Sequence, residues 1–157
     1  MNAKDAPSFG ILKTDNNNTI SSFIEKPETS LLKDWTSPVS DEMEKQGKVH
    51  LASMGIYIFN KDLLIELMND KSTIDFGKEI IPQSIDKHDI LSYQFEGYWT
   101  DIGNIDSFFE ANIGLTDDIP EFNLYDLKQR VYTNARMLPT SKIMGTHLNK
   151  AVIAEGC

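Results

Sequence analysis

Leu51-Ala52-Ser53-Met54-Gly55-Ile56-Tyr57-Ile58-Phe59 is the most apolar and β-branched stretch of the chain. Its length and composition predict a buried strand. Asn60 follows as a helix N-cap, and Leu63, Leu64, Leu67 and Met68 then fall on one helical face. A buried strand passing directly into an amphipathic helix is the unit of an α/β layer structure. Working outward, Phe9 to Lys13 and Thr19 to Glu25 read as two strands joined through Thr14-Asp15-Asn16-Asn17-Asn18. Asn and Asp tolerate positive φ, so that joint reads as a hairpin connection. Glu28 to Gln46 is polar and reads as a loop with one or two short helical turns.

Beyond the first helix, Asp75 reads as the cap of a second, with Ile80, Ile81 and Ile85 facing inward and Pro82 keeping it short or kinked. Ile90 to Phe95 is a further expected strand. Asn104 opens a third helix, whose apolar side carries Ile105, Phe108, Phe109 and Ile113. After Thr116 the texture changes: Asp117-Asp118-Ile119-Pro120 is a linker signal, and Val131-Tyr132-Thr133 is a candidate short strand. The end, Leu148 to Cys157, mixes small, β-branched and turn residues and reads as the first rung of a β-solenoid. A single rung cannot bury its own apolar face, so it either packs on the α/β part or begins a longer array.

The chain has 157 residues, a one-domain length, with 40% apolar and 25% charged residues. Fifteen basic residues against 24 acidic ones give a net charge of −9. That balance argues against nucleic acid and anionic membrane surfaces as partners, since both need a basic patch. Small anionic ligands need only one or two placed cations and stay open. The run Met54 to Phe59 is far shorter than the roughly 18 residues of a membrane span. A lone cysteine, Cys157, excludes an internal disulfide framework and a multi-cysteine metal site. Together these point to a soluble protein of a reducing, cytoplasmic compartment.

No nucleotide-binding loop is present: none of the nine glycines forms a G-x-G-x-x-G or P-loop pattern. His50, His88 and His147 are scattered and read as surface residues. Three segments carry chemistry. In Phe23-Ile24-Glu25-Lys26-Pro27 a strand ends in a charged pair, and neighbouring strand residues face opposite ways, so Glu25 and Lys26 have different jobs. A strand-end ammonium in a concave site suits a phosphate; the alternative is two solvated charges. Asp75-Phe76-Gly77-Lys78-Glu79 opens a helix, where Asp75 by itself is a cap. In Tyr98-Trp99-Thr100-Asp101-Ile102-Gly103, Asp101 is either a ligand for Mg²⁺, a hard cation that takes carboxylate and phosphate oxygens, or an Asx-turn residue.

Taken in order, Phe9-Gly10-Ile11, Phe23 to Pro27, Leu51 to Phe59, Asp75 to Pro82 and Tyr98 to Gly103 resemble bacterial glucose-1-phosphate adenylyltransferase, also called ADP-glucose pyrophosphorylase. Glu-Lys-Pro is shared among sugar nucleotidyltransferases; the Ala-Ser-Met-Gly strand, the Asp-Phe-Gly helix start and the Trp-x-Asp-Ile-Gly turn are more specific. The resemblance runs from about Phe9 to the C-terminus and implies an α/β fold: part of a Rossmann-like nucleotidyltransferase domain, a mixed sheet with helices, ending at the start of a left-handed β-helix. The expected boundaries are 1–116 for the C-terminal portion of the catalytic domain, 117–142 for a linker and 143–157 for the first rung.

The resemblance further implies a transfer of AMP from ATP to glucose 1-phosphate, giving ADP-glucose and pyrophosphate, in glycogen synthesis. By motif, Lys26 would hold the sugar phosphate and Glu25 would accept from sugar hydroxyls. Ser53 would line the same pocket, Gly55 would permit close approach, and Asp75 and Phe76 would contact the sugar. Asp101 would be one of two carboxylates binding Mg²⁺, with Lys26 and Asp101 sharing one sugar-phosphate cleft. Trp99 would support the turn. The family's Gly-rich ATP loop and its other metal-binding Asp are absent from these residues, so the chain is expected to hold the sugar-phosphate half of the site and to be inactive alone. A homo-oligomer is expected, since the family forms a tetramer. The alternatives are a sugar nucleotidyltransferase using UTP or dTTP, and a non-catalytic regulatory or assembly module.

Overall fold

The computed structural model describes residues 1–69, 72–134 and 136–156. They divide into two compact units, Met1–Phe95 and Glu96–Cys157, with Cys157 itself outside the described residues.

The first unit is built on a sheet of order β2-β1-β3, with β1 at Gly10–Thr14, β2 at Ile20–Glu25 and β3 at Leu51–Ala52. The connection between β1 and β2 folds as the Asp/Asn composition predicts. Asp15 Oδ1 accepts the amides of Asn17 at 2.8 Å and Thr19 at 2.9 Å, while Asn18 takes a positive φ of 62°. Gly10 pairs with Glu25, Ile11 with Ile24 and Leu12 with Phe23, before an irregularity at Lys13/Thr14 shifts the register. On its other side β1 pairs Ile11 with Ala52 and Leu12 with Leu51. Both pairings are antiparallel, where a mixed sheet was expected. The central strand therefore carries the buried Ile11, which packs with Ala6 and Leu32. Met1, Phe9, Ile24, Trp35 and Ala52 close around them.

Three expectations need correction here. The strand expected over Leu51–Phe59 stops at Ala52, because Gly55 turns the chain with φ +69° and its amide reaches back to Ser53 Oγ at 3.3 Å. Ile58 beyond that turn is fully exposed. The strand expected over Ile90–Phe95 makes one bridge, Thr19 to Leu91, along the outer edge of β2. Leu91, Tyr93 and Phe95 are exposed, and among the described residues no second partner extends the pairing. His50, read as a surface residue, is buried, with its Nδ1 2.9 Å from the carbonyl oxygen of Trp35.

The helices follow their caps. The polar loop holds a 3₁₀ turn at Leu32–Asp34 and α1 at Asp41–Lys45. Ser37 ties this loop to β1: its hydroxyl donates to Leu12 O at 3.0 Å and accepts the Thr14 amide at 3.1 Å. Asn60 caps α2, Lys61–Met68, by accepting the amides of Asp62 and Leu63. Asp75 opens a π-turn at Phe76–Ile80 that runs into α3, Ile81–Ile85, with Pro82 in its first turn. The fixed φ of Pro82 is compatible with the helical backbone it enters. Ile80 and Ile81 are buried, and α3 packs on β2.

In the second unit Asn104 caps α4, Ile105–Gly114, by accepting the Ser107 amide at 2.9 Å. The apolar side read for this helix is present, but Ile105, Phe108, Phe109 and Ile113 are all more than half exposed. Among the described residues no strand forms at Val131–Thr133 or in the tail. The tail folds back instead: the Gly156 amide bonds Pro139 O at 2.9 Å, and the Ser141 hydroxyl bonds Ala154 O. A β-helix rung is not seen among the described residues. No helix among them is long and apolar enough to cross a membrane.

Candidate sugar-phosphate site

The start of β1 is the point on which the first unit's candidate residues converge. Phe9 O accepts the Lys26 amide at 3.1 Å. Gly10 faces Glu25 across the β1–β2 ladder, and Gly10 O accepts the Ser53 amide at 2.8 Å. Strand order thus places the end of β2 and the exit of β3 on either side of one glycine. The π-turn reaches the same place. A Cβ built on Gly77 would stand 3.2 Å from Glu25 Oε2 and 3.5 Å from Asp75 Oδ1, so both carboxylates border this residue.

Glu25 is half-buried and Lys26 exposed. Lys26 has φ 47°, a left-handed conformation that costs a non-glycine residue about 1–2 kcal/mol. Such strain survives where the surroundings impose it, and it clusters at ligand sites. Here the bond to Phe9 O and the buried Pro27 that follows impose it. The chain therefore turns out of the sheet at Lys26, leaving a cation at the sheet's end.

Ser53 is half-buried, and its Oγ lies 3.2 Å from Tyr57 Oη. Tyr57 in turn stacks on Phe76, with ring centroids 5.8 Å apart and planes 21° from parallel. Phe59 closes the group at 5.7 Å from Phe76 and 6.2 Å from Tyr57. This aromatic trio joins the segment after β3 to the π-turn, so Ser53, Gly55 and Phe76 belong to one wall. Gly55, with open space where a Cβ would stand, supplies the turn that brings Tyr57 back to Ser53. Composition places Tyr57 and Phe59 in the expected strand over Leu51–Phe59; the turn at Gly55 takes them out of it.

The π-turn is held at both ends. Asp75 Oδ1 accepts the Lys78 amide at 2.8 Å. Glu79 Oε2 accepts the amides of Ile74 at 2.6 Å and Asp75 at 3.1 Å. These two amide bonds hold the Glu79 carboxyl below the usual carboxylate range, since they stabilise its charged form. Asp75 is thus a cap, as its position predicts, and like Glu25 it borders Gly77.

Asp101 lies in the second unit and is exposed. Its Oδ2 accepts the Gly103 amide at 3.3 Å, which is the Asx turn weighed for this position. Among the described residues no group of three His, Cys, Asp or Glu is placed to hold a metal. Mg²⁺ does not require one: it keeps several waters and takes one or two carboxylates plus substrate phosphates. A single exposed carboxylate fits that donor set.

Residues 1–118, about three quarters of the chain, match the family model described as nucleotidyl transferase.

Proposed function

The chain belongs to the nucleotidyl transferase family, and from that premise we propose that it furnishes the sugar-phosphate side of a glucose-1-phosphate adenylyltransferase site. The observation that carries this reading is the convergence at Gly10 and Gly77. One strand end, one strand exit and one helix opening bring Glu25, Ser53 and Asp75 together, next to the turn that exposes Lys26. Carboxylates accept from sugar hydroxyls, and a lysine ammonium is a compact partner for a phosphate. Phe76 and its aromatic neighbours offer an apolar wall to the sugar ring. Gly55 keeps that wall close to Ser53.

In the proposed reaction a phosphate oxygen of glucose 1-phosphate attacks the α-phosphorus of ATP. The bond to the β-phosphate breaks, and pyrophosphate leaves with the electron pair. The chain's part is to hold the sugar phosphate still and to balance its charge, which converts a two-body encounter into an oriented one. Asp101 is the carboxylate we assign to Mg²⁺; the bound ion would neutralise phosphate charge. A glycogen-type pathway, cytoplasmic location and a homo-oligomeric assembly belong to the same proposal.

Titration of the ¹⁵N-labelled chain with glucose 1-phosphate tests the reading. The expected result is saturable shifts at Glu25, Lys26, Ser53 and Gly77, weakened at least tenfold in Lys26→Ala. Equal shifts with glucose 6-phosphate, or none at these residues, would overturn it. ADP-glucose formation by the purified chain alone is not expected.

A further inference from the structure

Gly10 and Gly77 both lie where a side chain would be struck by Glu25. A Cβ on Gly10 would come 2.7 Å from Glu25 Oε2 and closer still to Phe23 Cζ. On Gly77 it would come 3.2 Å from the same carboxylate oxygen. Neither glycine has a positive φ, so backbone conformation does not require glycine at either position. Glycine in a strand or helical turn is otherwise a cost relative to alanine. What the two positions share is the carboxylate of Glu25, seated between the first residue of β1 and the π-turn. Asp75 Oδ1 borders the same point at 3.5 Å.

We propose that Gly77, together with Gly10, is a positioning residue: the pair forms a slot that seats the Glu25 carboxylate beside Asp75, so that two acceptors serve neighbouring hydroxyls of one hexose 1-phosphate. The proposal rests on the sugar-phosphate reading above. It makes the absence of a side chain at Gly77 a determinant of sugar binding, acting through Glu25 rather than by contact with the sugar. The two glycines differ in what they tolerate. A methyl at Gly77 meets the end of a flexible side chain, which moves by a few tenths of an ångström. A methyl at Gly10 meets the Phe23 ring as well and strains the β1–β2 ladder.

Gly77→Ala is therefore the test, in a double-mutant cycle with Glu25→Ala, read by glucose 1-phosphate titration and by the ¹³C shift of the Glu25 carboxyl without ligand. Gly77→Ala is expected to keep the wild-type melting temperature within a few degrees and to move the Glu25 carboxyl resonance. It should weaken glucose 1-phosphate binding roughly tenfold, and add nothing in the Glu25→Ala background. An unmoved carboxyl resonance, or equal losses in both backgrounds, would overturn the positioning role while leaving the sugar-phosphate reading intact. No binding of glucose 1-phosphate by the wild-type chain would overturn both. Should Gly77→Ala fail to fold, Gly77→Ser is expected to move the same carboxyl resonance, and a resonance that stays in place there overturns the positioning role equally.

Discussion

Lys26, the residue proposed to hold the sugar phosphate, is a poor choice for the backbone it occupies. Its left-handed φ of 47° would suit glycine. Lys26→Gly is expected to raise stability by up to about 1 kcal/mol in urea melts. The same change should abolish the phosphate contribution to glucose 1-phosphate binding. A variant that gained stability and kept its affinity would show that the ammonium has no part in the site. Glu79 gives a pH-dependent counterpart. Its folded pKa is depressed, so its contribution to stability is present above its ordinary value of 4.5 and is lost as pH falls through the folded value. Wild type is expected to melt above Glu79→Gln near neutral pH and to converge with it in acid. A gap that stayed constant down to acid pH would rule out the amide bonds as its cause.

Among the elements, the π-turn separates capping from binding. Asp75→Asn keeps an oxygen for the Lys78 amide but removes the charge. Its thermal stability should stay close to wild type, while glucose 1-phosphate binding weakens several-fold. Asp75→Ala should lose both, with about 1 kcal/mol of stability removed with the cap. The loop before β3 makes a different point. Ser37 is buried and bonded to two backbone groups of β1, so Ser37→Ala leaves a buried amide and carbonyl without that partner. A loss of about 1–3 kcal/mol is expected in chemical denaturation. A loss under about 0.5 kcal/mol would mean that the loop is anchored elsewhere.

For the molecule as a whole, surface chemistry dominates. Ile56, Ile58, Tyr93, Phe108, Phe109 and Tyr132 are among many large apolar side chains left exposed. Apolar surface on this scale is unusual for a protein that stays monomeric. Light scattering is expected to show concentration-dependent self-association, persisting in high salt because its source is apolar. A monodisperse monomer at all concentrations would contradict this.

The sequence by itself determined the local devices. Asn60, Asp75 and Asn104 cap their helices, and the Asp/Asn run turns β1 into β2, because these depend on side chains bonding backbone a few residues away. The family motifs single out Glu25, Lys26, Ser53, Gly55, Asp75, Phe76 and Asp101 as candidates. Only the tertiary structure decided which strands had partners. Leu51–Phe59 and Ile90–Phe95 have strand composition throughout, yet a strand exists only where a neighbour accepts its hydrogen bonds, and those neighbours come from distant sequence. The same long-range pairing, with Gly10 lying between Glu25 and Ser53 and Gly77 brought beneath the carboxylate, is what brings the segments of Glu25, Ser53 and Asp75 to one place on the first unit.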